Sequence, residues 1–262
     1  MKKRRLKITA VSMMLASGLM LASCGIAEGV ADAVNEIVSD AAQMATAIAF
    51  DEMGGGPVVT LAVGDMFDGD DLFVSLANNA VNIQTHADST IRIEFSPPTT
   101  GEYQIPTVAY DVGGRIEITE PPDNLVLDRN HRPGILYVYR PQGIAANNME
   151  LRTLNGAVRI VGNDHLRASS VEITVVNGMV ELRNFNAPNI SVRSTNGTIS
   201  GSGLETRNLT LNAINGIITL RDSQISGDLT ARTLNGGITI ENVDADMDRA
   251  DINAVNGVVT VR

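Results

Sequence analysis

Tryptophan is absent from the 262 residues, cysteine occurs once, and Phe and Tyr together supply only nine rings. Lysine is confined to Lys2, Lys3 and Lys7, so the rest of the chain offers no P-loop, Schiff-base or other catalytic lysine. A single thiol excludes an intrachain disulfide and a cysteine metal cluster, leaving stability to packing. No apolar run reaches the roughly 20 residues of a stable spanning helix. Beyond residue 7 there are 15 Arg against 30 Asp plus Glu. That acidic excess repels phosphate backbones, and so few rings give single strands little to stack on, which argues against nucleic acid as a partner. What is present, 44% hydrophobic and 19% charged, fits one or two globular domains with enough apolar surface for a core.

The basic residues at the start belong to an export address. Lys2-Lys3-Arg4-Arg5 precedes an apolar stretch over 8–21, which ends in Leu21-Ala22-Ser23-Cys24. These residues resemble the signal peptide and lipobox of bacterial lipoproteins. The resemblance implies that 1–23 is removed and that Cys24 is diacylated and becomes the first mature residue. The mature chain would then carry a charge of −15 and no lysine. Gly25, rather than Asp, follows the cysteine, so the expected location is the cell membrane or outer membrane, facing away from the cytoplasm. Residues 24–57 read as a lipidated start and helical tether. Ile26, Val30, Val34, Ile37, Ala41, Ala45 and Ile48 keep close to a 3.6 period, and Gly54-Gly55-Gly56-Pro57 breaks it.

Between residues 58 and 145 the period falls to two, in short runs over 58–63, 81–83, 91–95, 115–118 and 135–139. Alternation bounded by Gly, Pro, Asn and Asp predicts half-buried strands in an irregular all-β region. From 146 to 262 the chain repeats. Asn-Gly stands at Asn155-Gly156, Asn177-Gly178, Asn196-Gly197, Asn215-Gly216, Asn235-Gly236 and Asn256-Gly257, at intervals of 22, 19, 19, 20 and 21 residues. Aliphatic residues recur six and four before each Asn, as in Met149 and Leu151, and three and five after it, as in Val158 and Ile160. A further apolar residue follows in Leu166, Phe185, Leu204, Ile225 and Val243. Asn-Gly is also the strongest signal for a hairpin, so six hairpins are the competing arrangement. The third apolar residue and near-constant length favour a β-solenoid of about 20-residue coils. A corner asks for positive φ, which Gly accepts and Asn tolerates, and stacked Asn side chains can bond along the axis as a ladder.

The Leu-Asn-Gly-Ala-Val-Arg-Ile and Val-Asn-Gly-Met-Val-Glu-Leu units, preceded by the strand over 135–141 and an export signal, resemble the bacterial putative-adhesin family of β-strand-repeat domains. The resemblance covers about residues 58–262. It implies a right-handed solenoid on the cell exterior and carries over no catalytic residues.

Little else points to chemistry. His86, His131 and His165 are isolated, and no GxSxG elbow or HExxH pair occurs. Asp244, Asp246 and Asp248 have the alternate spacing of a calcium loop, but Arg249 replaces its glycine and Val255 its final Glu. The acidic group Asp65, Asp68, Asp70 and Asp71 reads as a solvated turn. No cofactor is expected. The function expected is a surface-anchored binding or scaffold protein without catalytic activity, held to the membrane by lipid on Cys24 and meeting a protein or envelope partner. A polysaccharide-active β-helix enzyme and an envelope-stress or signalling accessory are the alternatives. Because the sequence stops at Val261-Arg262 within a coil, the last coil is expected to be covered, either by another part of the chain or by a second copy.

Overall fold

The two strands that flank each Asn-Gly do not form a hairpin, and where such a pair touches at all it does so in parallel, at Arg167 and Asn186. The computed structural model describes residues 53–65, 70–99, 103, 105–111, 113–120, 133–163 and 166–262. The signal segment, Cys24, nearly all of the tether, Asp68, His131 and His165 lie outside them. Seven strands precede the repeats: β1 Val59–Asp65, β2 Asp71–Leu76, β3 Ala80–His86, β4 Thr90–Ser96, β5 Thr107–Asp111, β6 Arg115–Thr119 and β7 Ile135–Pro141. In the repeats, β8 Ala145–Asn155, β10 Arg167–Asn177, β12 Asn189–Asn196, β14 Asn208–Asn215, β16 Leu229–Asn235 and β18 Ala250–Asn256 each end on the asparagine. After the turn come β9 Val158–Val161, β11 Val180–Asn186, β13 Ile199–Thr206, β15 Ile218–Ile225, β17 Ile238–Ala245 and β19 Val259–Val261. Every strand ending on Asn pairs in parallel with its equivalent one coil away, Asn155 opposite Asn177 and so on to Asn256. The strands after the turn do the same. This is the β-solenoid, not a row of hairpins, and the described residues hold no helix beyond one 3-10 turn at Met247–Arg249.

Period-two alternation turns one set of side chains into the space between the faces. The ladder Leu151, Ile173, Val192, Leu211, Ala231 and the ladder Val158, Val180, Ile199, Ile218, Ile238 are almost wholly buried. Each buried aliphatic side chain contributes roughly 1.5–3 kcal/mol. In the last coil the same positions open to solvent, Val259 to 38% and Val261 to 47%.

A second corner, which the sequence does not announce, lies seven residues after the asparagine. Asn184, Gly203, Asp222 and Asn242 have φ of 50°, 62°, 48° and 51°. Asn, Asp and Gly tolerate this left-handed conformation best. The third apolar position then follows, with a correction. The registered ladder is Phe185 and Leu204, then the hydroxyl of Ser223 in place of an apolar group, then Val243. Ile225 stands two residues further on, beside Thr206 and Ala245.

Chain order and stacking order differ in the first half. On one face β2 lies between β6 and β8, and on the other β3 lies between β7 and β9, all parallel. The β2–β3 coil is thus wedged between β6–β7 and β8–β9. Antiparallel strands cover the outer side: β5 on β6, β4 on β7, and β1 on β4.

Candidate interaction surface

The Asn-Gly corners form one continuous polar line. Each asparagine Nδ2 donates to the Oδ1 of the coil before it: Asn177 to Asn155, Asn196 to Asn177 and Asn215 to Asn196, all at 2.8 Å. Asn235 and Asn256 continue it at 2.7 and 2.9 Å. Asn155 extends the line to Asn78 at 3.0 Å, so Asn78-Asn79 takes the corner place in the wedged coil. The carboxylate of Glu120 accepts there from the backbone N–H of Ala77 and Asn78 and from Asn79 Nδ2.

The glycines serve a different purpose from the one the sequence suggests. Of the six, only Gly236 has a positive φ, at 150°. What they share is a close approach. A Cβ on Gly178 would lie 1.8 Å from the carbonyl oxygen of Gly156, one on Gly197 1.6 Å from that of Gly178, and one on Gly257 1.6 Å from that of Gly236. The carbonyl of each coil fills the space a side chain of the next would need.

The outward charges are largely committed to neighbours. Arg193 meets Glu172, Arg232 meets Asp251, Arg249 meets Asp228, and Arg221 meets Glu241 across adjacent coils. Glu181, 3% exposed, holds both Arg159 and Arg183. The calcium candidates do not gather. Asp244 lies in β17 opposite Gln224, while Asp246 Oδ1 accepts the Asp248 N–H at 3.1 Å and caps the 3-10 turn. Among the described residues no three His, Cys, Asp or Glu side chains assemble as a metal site. His86 closes a loop, Nε2 donating to the Thr90 carbonyl at 2.7 Å, with Nδ1 3.2 Å from Asp88. Asp70 accepts from the Tyr110 hydroxyl, and Asp71 from the backbone and side chain of Asn148.

Aromatic side chains concentrate in the early coils instead. On the outer side of β7, Tyr137 and Tyr139 stack with centroids 6.0 Å apart and planes 13° from parallel. The Arg92 guanidinium lies 4.6 Å from the centre of the Tyr139 ring, and His86 meets that ring edge-on. Burial, with Glu94 and Tyr137 adding to it and Arg92 opposing, raises the Tyr139 phenol above its ordinary pKa. Asn82 and Gln84 stand opposite the two tyrosines on β3. Asn82 Oδ1 is buried with no hydrogen-bond partner among the described residues. On the other face, Arg115 and Arg152 lie 4.7 and 5.7 Å from the Phe73 ring. The sequence spacing gives no sign of these clusters, because pairing across long intervals, antiparallel for β4 on β7 and parallel for β3 on β7 and β2 on β8, brings their members together.

Parallel coils closed by an asparagine ladder, with a polar, ring-bearing surface at one end, define a β-solenoid repeat protein. The chain belongs to the Toastrack DUF4097 family, which it matches over residues 70–262. The family resemblance carried by the Asn-Gly units holds. Among solved structures, the chain is similar to a putative cell adhesion protein from Clostridium sporogenes, at 11% identity and a TM-score of 0.44, covering 78% of this chain and 98% of that one. It is also similar to a putative adhesin from Bacteroides fragilis, at 10% identity and a TM-score of 0.42, covering 80% and 99%. A putative lipid binding protein from Parabacteroides distasonis follows at 12% identity and a TM-score of 0.29, covering 80% and 98%. No curated protein matches.

Proposed function

We propose that the protein is exported, tethered by lipid on Cys24, and works as a binding or scaffold protein whose contact surface is the Tyr137–Tyr139–Arg92 cluster. The observation that carries this reading is the stacked Tyr137–Tyr139 pair on the outer side of β7 with the Arg92 guanidinium over the Tyr139 ring. Tyr and Arg are also the residues that most often anchor protein contacts. Glu172, Glu181, Asp228, Glu241 and Asp251 of the regular coils are engaged by arginines, which leaves them poorly placed for acid–base work and favours binding over catalysis.

The test is photo-crosslinking in intact cells from position 84, beside the rings, with position 212 on the opposite face as reference. Position 84 should trap an envelope partner, and Tyr139→Ala should reduce the yield. Equal trapping at both positions, unaffected by Tyr139→Ala, would remove the cluster as the contact site. Turnover of a defined glycan would replace the binding reading with an enzymatic one.

A further inference from the structure

The six Asn-Gly dipeptides share one intrinsic reactivity and differ in how the stack holds them. In an Asn-Gly pair the unhindered glycine nitrogen can attack the asparagine side-chain carbonyl carbon. The N–Cγ bond forms, the Cγ–Nδ2 bond breaks, and the nitrogen's proton leaves with the amine as ammonia. Water then opens the cyclic imide at either carbonyl, giving aspartate or isoaspartate, with no oxidant or reductant involved. Ring closure needs a free glycine N–H and an asparagine side chain able to swing toward it.

The coils from Asn177 to Asn235 deny both, whereas at Asn155 the side chain is held but no described residue accepts from the Gly156 N–H. The N–H groups of Gly178, Gly197, Gly216 and Gly236 donate to the carbonyls of Asn196, Asn215, Asn235 and Asn256 at 2.9–3.3 Å. Their asparagines each donate to the coil before and accept from the coil after. Asn155 is held on both sides too, and Gly156 is buried under the Asn79 carbonyl. Asn256-Gly257 differs. Asn256 donates to Asn235, but no described residue donates to its Oδ1 or accepts from the Gly257 N–H, and both residues are exposed.

We propose that Asn256-Gly257 is a self-modification site, the one Asn-Gly of this folded chain that deamidates readily, and that its conversion loosens the last coil. A carboxylate at 256 cannot donate to Asn235 Oδ1, so the end rung is lost and a negative charge replaces it. Isoaspartate also lengthens the backbone at the corner where the Gly257 and Gly236 main chains are in closest contact.

Arginines at 152, 159, 167, 183, 193, 207, 221, 232, 249 and 262 place each Asn-Gly in its own tryptic peptide. The full chain is incubated folded in mildly alkaline buffer, digested and followed by mass spectrometry, with a parallel sample in denaturant. Folded, the peptide carrying Asn256 should convert about tenfold faster than any of the other five, the factor that about 1.4 kcal/mol of additional hold supplies. In denaturant the six rates should converge. Hydrogen exchange of the aged protein should speed up over β18 and β19, and Asn256→Gln should abolish that change. Inner sites keeping pace with Asn256 in the folded protein, or Asn256 retaining its amide as long as they do, would overturn the proposal.

Discussion

At the scale of single residues, a methyl group at Gly197 would have nowhere to go. Its Cβ would sit 1.6 Å from the Gly178 carbonyl, whereas the Asn196 side chain beside it is exposed and water can take over its bonds. Gly197→Ala should therefore destabilise by about 3 kcal/mol, at the upper end of overpacking, and Asn196→Ala by only about 1 kcal/mol. Urea titration of the two variants gives the order directly. Arg140 presents the opposite case, a charge buried without a carboxylate partner among the described residues. Its guanidinium reaches the carbonyls of Ile144 and Arg167 and Met149 Sδ, Nε has no partner among the described residues, and burial lowers its pKa to about 10. Above about pH 10 the unfolded chain keeps the proton that the folded chain gives up, so this group's contribution to stability rises with pH there. Arg140→Met should be as stable as wild type or up to about 4 kcal/mol more stable at neutral pH. That difference should narrow above about pH 10, and paired denaturation curves at both pH values read it.

At the scale of elements, the regular coils were legible because each repeats the same apolar positions around Asn-Gly, and local signals suffice where neighbours in sequence are neighbours in space. The wedged coil was not. Nothing local tells Leu72 and Val74 in β2 to lie between Ile116 and Ile118 of β6 and Met149 and Leu151 of β8. The left-handed corner was missed for another reason: Asn184, Gly203, Asp222 and Asn242 share a conformation without sharing an identity. The Tyr–Arg cluster inherits the same difficulty, since Arg92, Tyr139 and Gln84 meet only once β4, β7 and β3 are stacked. The wedge can be checked with Cys at positions 75 and 152, which are paired across β2 and β8. Neighbouring strands lie about 4.8 Å apart, within disulfide reach. With Cys24→Ser removing the native thiol, Ser75→Cys/Arg152→Cys should close a disulfide under mild oxidation. Persistent free thiols in the folded protein would contradict the order of coils.

At the scale of the whole molecule, the charge divides in two: five positive residues at the start, and an acidic body of −15 from Cys24 onward. Long parallel faces suit that body, because each coil's carboxylates can face the arginines of the next while the apolar ladders remain inside. A stack of this kind presents long flat faces, and tethering would hold it beside its partner. The proposed function is that of a lipid-anchored binding protein outside the cytoplasm. The most direct measurement is metabolic labelling with a clickable palmitate analogue, combined with protease treatment of intact cells or, where an outer membrane is present, of osmotically opened ones. The wild type should be labelled, membrane-bound and digested by external protease, and a Cys24→Ser variant should carry no label and retain residues 1–23. Unlabelled wild type, protected from protease in the cytoplasm, would contradict it.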